Sequence, residues 1–131
     1  MKTTALIEKK RNNFMAKDDY HVLVYQILSY LYQRLKQGEN VQEAMLLPNS
    51  PLFPVKLNKR YWAYILYHLQ KDGLVEGLEL LQVDGLPHPY PARLDRCLIT
   101  PAGMEYLCDN SFMEKAKRFL KEIHEIVPFS M

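Results

Sequence analysis

From Asn58 to Leu107 the chain runs through a sequence of local signals whose order limits what it can fold into. The segment Asn58-Lys-Arg-Tyr-Trp-Ala-Tyr-Ile-Leu-Tyr-His-Leu-Gln-Lys71 has helical spacing, with Asn58 as cap and Asp72-Gly73 as a stop signal. Leu74 to Val83 has β-strand character and a partial alternation. Gly85-Leu-Pro-His-Pro-Tyr-Pro91 carries three prolines without an amide donor, so it reads as a stiff loop that cannot continue a ladder. The chain beyond it, through Cys97 to Ile99, reads as a second strand. Thr100-Pro101 then opens another helix, threonine capping and proline at the first position. A helix, a tight turn, two strands joined by a long loop and a further helix make the back half of a winged helix.

The front half fits that reading. Val24, Ile27, Leu28, Leu31 and Leu35 follow the spacing of one buried helical stripe, with Asp18 or Asp19 as cap and Gly38 as stop. Val41 to Leu47 is a short helical segment, and Pro48-Asn-Ser-Pro-Leu-Phe-Pro54 is a rigid surface connection. With Trp62 at zero and about 100° per residue, Ile65, Leu66 and Leu69 cluster around Trp62. Arg60, Tyr64, Tyr67 and Lys71 fall on the opposite side. Near the end, Met104 and Leu107 point inward, and Ser111-Phe-Met-Glu114 matches a capping box. Phe112, Ala116, Phe119, Leu120, Ile123 and Val127 then form an amphipathic stripe that Pro128 ends; it serves the chain's own core or packs on a second subunit.

The expected fold class is therefore mainly α with a small β-hairpin: a winged helix-turn-helix with one or two additional C-terminal helices. The expected boundaries are a polar arm over 1–17, the winged-helix core over 18–100 and a helical extension over 101–131. Met15 is a plausible alternative start to Met1. At 131 residues and 48% hydrophobic, the chain is long and apolar enough for one domain with a core. No stretch approaches the roughly 20 apolar residues of a membrane-spanning helix. Cys97 and Cys108 lack the spacing of a metal or redox motif and read as free thiols in a reducing cytoplasm.

The chain resembles the YjcQ-like family of small bacterial and prophage-encoded proteins. The likeness rests on Asp18-Asp19-Tyr20-His21-Val22, on Tyr61-Trp62, and on Gly73 before the hairpin. It continues through Leu98-Ile-Thr100, Gly103-Met-Glu-Tyr-Leu107, Asn110-Ser111 and Lys115-Ala-Lys117, and covers roughly Lys17 to Pro128. It implies a winged-helix fold and supplies no functional residues, because the family's biochemical role is largely unassigned.

Function has to be read from charge placement, since the formal net charge is only +2. Between Glu43 and Asp72 there is no carboxylate, while Lys56, Lys59, Arg60 and Lys71 lie in that interval. With Tyr64 and Tyr67 they make a basic, aromatic helix face of the kind that contacts phosphates, sugars and base edges. Lys56 and Lys59 would anchor phosphate, and Arg60, Ala63, Tyr64 and Tyr67 would meet the groove. The competing reading is a solvated helix face. Arg93 and Arg96 are wing candidates for a minor groove. Asp95 lies between them, on the opposite face if strand alternation holds.

His21, His68, His88 and His124 have no metal-ligand spacing, and no nucleophile elbow or glycine-rich phosphate loop occurs. The expectation is a non-enzymatic, cytoplasmic, double-stranded-DNA-binding protein without cofactor or metal, a prophage-associated regulator of transcription. The alternative is a protein–protein adaptor on the same scaffold, without nucleic acid.

Overall fold

A computed structural model describes residues 19–126. The expected arm over 1–17, the choice between Met1 and Met15, a cap at Asp18, and Val127 and Pro128 lie outside the described residues. Helix α1 (Asp19–Lys36) buries Val24, Ile27, Leu28 and Leu31, as the spacing predicts. It buries Val22 and Leu23 as well, so its first half is covered on more than one side. Leu35 is 40% exposed rather than buried, because the last turn runs beyond the core. The segment after it contains one 3-10 turn, Glu43–Leu46, in place of the expected helix over 41–47. The residue before a proline avoids α geometry, and Leu47, ahead of Pro48, is extended at φ −81°, ψ 160°.

Helix α2 (Lys59–Lys71) starts where Asn58 accepts from the Arg60 and Tyr61 amides at 2.8 and 3.3 Å. Its Trp62 is 3% exposed. The indole Nε1 donates to the Leu46 carbonyl at 2.6 Å, so the one polar atom of this large side chain is satisfied in the core. The helix ends in a Schellman arrangement: Gly73 has φ +79°, and the Leu74 amide reaches back to the Leu69 carbonyl at 2.9 Å.

The wing is more finely divided than a single hairpin. Strand β1 (Val75–Glu76) pairs antiparallel with β4 (Leu98–Ile99), and β2 (Glu79–Leu81) with β3 (Tyr90–Arg93). These are two nested two-stranded sheets. At the break, Gly77 adopts φ +86°, and a Cβ there would run into the Arg96 carbonyl oxygen. Two side chains from outside the wing fill the gap in the ladder. Gln70 of α2 accepts from the Leu78 amide at 2.8 Å and donates to its carbonyl at 3.1 Å. Glu43 accepts from the Leu94 amide at 3.0 Å.

Pro91 stands opposite Leu80 within β3, so the proline tract does enter a ladder at its end. A two-stranded sheet leaves each strand one open edge, which is where a residue without an amide donor is tolerated.

Thr100 caps α3 (Pro101–Asp109) by accepting from the Gly103 amide at 3.0 Å, and its hydroxyl donates to the Gly73 carbonyl at 2.5 Å. Met104 and Leu107 are half-buried against the core. The break before α4 (Ser111–Ile126) falls where the sequence places it, but Asn110 supplies the cap instead of Ser111. Its Oδ1 accepts from the Phe112 amide at 2.8 Å. Helix α4 lies along α1 and buries Met113, Ala116 and Ile123. Met113, Ala116 and Ile123 thus face the chain's own core, and Phe119 and Leu120 are partly buried beside them. Phe112 is left on the surface, stacked on His21 at 4.3 Å between ring centroids. The result is mainly helical with a small antiparallel wing, a winged-helix-like arrangement. Among the described residues no helix is long and apolar enough to cross a membrane.

Candidate nucleic-acid interface

The first turn of α2 holds no acidic residue, and Lys59 and Arg60 stand there exposed, with Lys56 just before it. A helix amino end already carries partial positive charge, so lysine and arginine in the first turn are placed against the local dipole. They concentrate positive potential where an anion is best received. One turn on, Tyr64 is 44% exposed. Its ring lies 4.3 Å from His68 and edge-on to His88 at 5.8 Å. Tyr67 stacks on His88 at 5.8 Å with 15° between planes and meets His68 edge-on at 5.1 Å. The Lys71 ammonium sits 5.8 Å from the Tyr67 ring centre. Together with Asn58, Arg60, Tyr61 and Pro87 these side chains line an open depression of about 600 Å³, with no carboxylate among the described residues lining it.

The loop between β2 and β3 makes this depression two-walled. Pro87 and Pro89 hold His88 stiffly against the middle of α2, and His88 is buried there. His68 and His88, notable in the sequence only for the absence of metal-ligand spacing, both line this face. The signal that marks His88 is its position between two prolines, which fixes where the ring points.

Of the expected contact residues, the structure brings Arg60, Tyr64, Tyr67 and Lys71 together at the depression. Lys56 and Lys59 are exposed near its amino-terminal end. Ala63 does not belong with them. It is 1% exposed, because β3 packs on α2 and widens the covered arc to the side about 100° from Trp62.

The expected placement of Asp95, on the face away from the wing arginines, is also corrected. Arg93 ends β3, and residues 94–97 turn, so strand alternation does not separate Asp95 from it. Arg93 grips Asp95 through Nε and Nη2 at 2.7 and 3.2 Å and lies 4.0 Å from Glu79. Those hydrogen bonds hold the Asp95 carboxyl below its ordinary range, and Asp95 in turn raises Arg93. Arg93 is a surface ion pair. Arg96 is exposed in the turn. Cys97, one residue short of β4, is buried in the core, which pushes its thiol up to about 12; Cys108 is exposed on α3.

The fold and this face define a small winged-helix-like protein with a basic, aromatic second helix. The chain belongs to the YjcQ family: the model of the YjcQ protein matches residues 25–126. No curated protein and no solved structure matches it.

Proposed function

We propose that the protein binds double-stranded DNA through the amino-terminal half of α2. On this reading it is a cytoplasmic, non-enzymatic, prophage-associated transcriptional regulator that uses no cofactor. The observation that carries the reading is the acid-free first turn, where Lys56, Lys59 and Arg60 reinforce a helix amino end beside the exposed Tyr64. The lysines anchor phosphates; Arg60 and Tyr64 reach the groove. The loop at His88 shields Tyr67, so the entering surface is the first two turns of the helix and not its whole length.

Fluorescence anisotropy with random duplex DNA across a salt series tests this. Neutralising about four phosphates gives a slope of log K against log salt near −3.6. Lys59→Ala weakens binding to all sequences alike and flattens the slope by about one unit. Arg60→Ala and Tyr64→Ala instead reduce discrimination among sequences. Binding lost on charge reversal in α4 but retained on substitution of Lys59 and Arg60 keeps DNA and discards this site.

A second reading is a protein–protein adaptor, favoured by the same shielding, since a loop stacked on the helix face obstructs a deep groove approach. It predicts duplex binding that is absent or no tighter than about millimolar at low salt, with no change in the Lys59 or Arg60 variants.

A further inference from the structure

Away from the α2 face, and sharing no lining residue with it, a cavity of about 570 Å³ lies between α1, the 51–54 segment and α4. Its walls are apolar, from Met45, Leu52, Phe53 and Leu120 with the ring of Tyr25. At its α4 side stand Lys117 and Lys121, and none of the described residues lining it is a carboxylate. Apolar walls with a few convergent polar groups are the usual make-up of a small-molecule site.

The opposite wall carries Gln26. Its Nε2 donates to the Leu52 carbonyl at 2.7 Å, which fixes the amide. Its Oε1 has no hydrogen-bond partner among the described residues. Through its Nε2 bond Gln26 pins Leu52 of the 51–54 segment to α1 and keeps this wall of the cavity in place.

We propose that this cavity binds a small amphipathic organic anion: an aliphatic or aromatic body between α1 and α4, and a carboxylate at Lys117 and Lys121. The charge pattern selects the class. Two ammonium groups at one side of an apolar, acid-free cavity favour an anion over a neutral or cationic molecule of equal size.

The test uses the full-length chain and 8-anilinonaphthalene-1-sulfonate, an anionic aromatic probe with one N–H. Saturable 1:1 binding is expected, displaced by decanoate and not by decan-1-ol or decylamine at equal concentration. Lys117→Gln with Lys121→Gln, both on the surface, should weaken probe binding at least fivefold and remove the advantage of decanoate over decan-1-ol. Ser29→Trp, which fills the cavity from α1, should abolish binding; Leu120→Trp fills it from α4 and serves as a second blocker if the first does not fold, judged by near-ultraviolet circular dichroism. Non-saturable binding, or binding unchanged in a folded blocker, overturns the site. Equal competition by decan-1-ol overturns the anion class. Dimerisation that the probe reverses would assign the cavity to a second copy of the chain and overturns the proposal equally. DNA binding can fail without affecting any of these readouts.

Discussion

The inner and outer halves of the wing are built from similar short strands but held by different forces. The inner pair, β1 with β4, is fastened to the body of the protein. Val75, Ile99 and Cys97 are buried, Gly77 fits only without a side chain, and Thr100 ties α3 to the end of α2 through Gly73. The outer pair, β2 with β3, exposes Leu81, its loop exposes Val83, and the two lean on α2 through Tyr90 of β3 against Trp62 and His88 of the loop against Tyr67. The inner half is placed by close packing along both strands, the outer half by the packing of β3 on α2 together with these ring contacts. Substitutions in the two halves should therefore differ in size and in kind.

The largest effects belong to the inner half and the core that carries it. Trp62→Ala should lower stability by roughly 3–5 kcal/mol in urea unfolding, as large aromatic truncations do. Gly77→Ala should cost about 3 kcal/mol or more, because backbone strain and a clash with a carbonyl act together. A loss below about 1 kcal/mol in either would show that the inner half is no more firmly set than the outer.

Alkali should separate the halves next. The Cys97 thiol is held neutral by burial, with its folded value near 12 against an ordinary 9.0. The unfolded thiol ionises first, so the stability linked to Cys97 is full below about pH 9 and falls as pH rises toward 12, by up to about 1.4 kcal/mol per unit. Comparing the pH dependence of unfolding of the wild type with that of Cys97→Ala isolates this contribution; identical slopes would refute it. Under native conditions near pH 8, a thiol reagent should label Cys108 and leave Cys97 untouched.

Smaller again is Thr100→Ala, which removes the cap on the Gly103 amide and the bond to the Gly73 carbonyl; about 1–2 kcal/mol is expected from equilibrium unfolding. The smallest change is His88→Ala, on the outer half. It should shift the unfolding midpoint by less than about 1 kcal/mol, the scale of an aromatic contact. It should nonetheless alter duplex affinity by uncovering Tyr67. A His88 variant that unfolds as readily as Gly77→Ala would dissolve the contrast.

Much of this architecture was legible because the signals that set it are local. Asn58, Asp72-Gly73 and Thr100-Pro101 each act on a backbone within a few residues, and helical spacing alone placed Trp62 inward. What escaped the reading depends on distant partners. Glu43 completes the amide of Leu94 across 51 positions, and no periodicity announces that. Ala63 reads as a contact residue because the helix's own spacing does not reveal that β3 packs on α2. Asn110 and Ser111 are adjacent and chemically interchangeable as caps, so only the backbone path selects between them. Arg93 was separated from Asp95 by an alternation that stops where the strand stops. The face of α2 was visible as a run without carboxylates, but its second wall was not, since that required His88 to arrive from a loop.

The carboxamide of Gln70 treats Leu78 as a neighbouring peptide would, giving and taking one hydrogen bond. The wing is thereby divided into a fixed stub and a detachable tip. Lengthening, trimming or exchanging residues 82–87 changes the tip while the stub keeps its register, because the helix supplies the joint. Such a tip behaves as a cassette: one scaffold can carry many different tips, and variation among chains built this way should collect over residues 82–87 and spare the strands on either side.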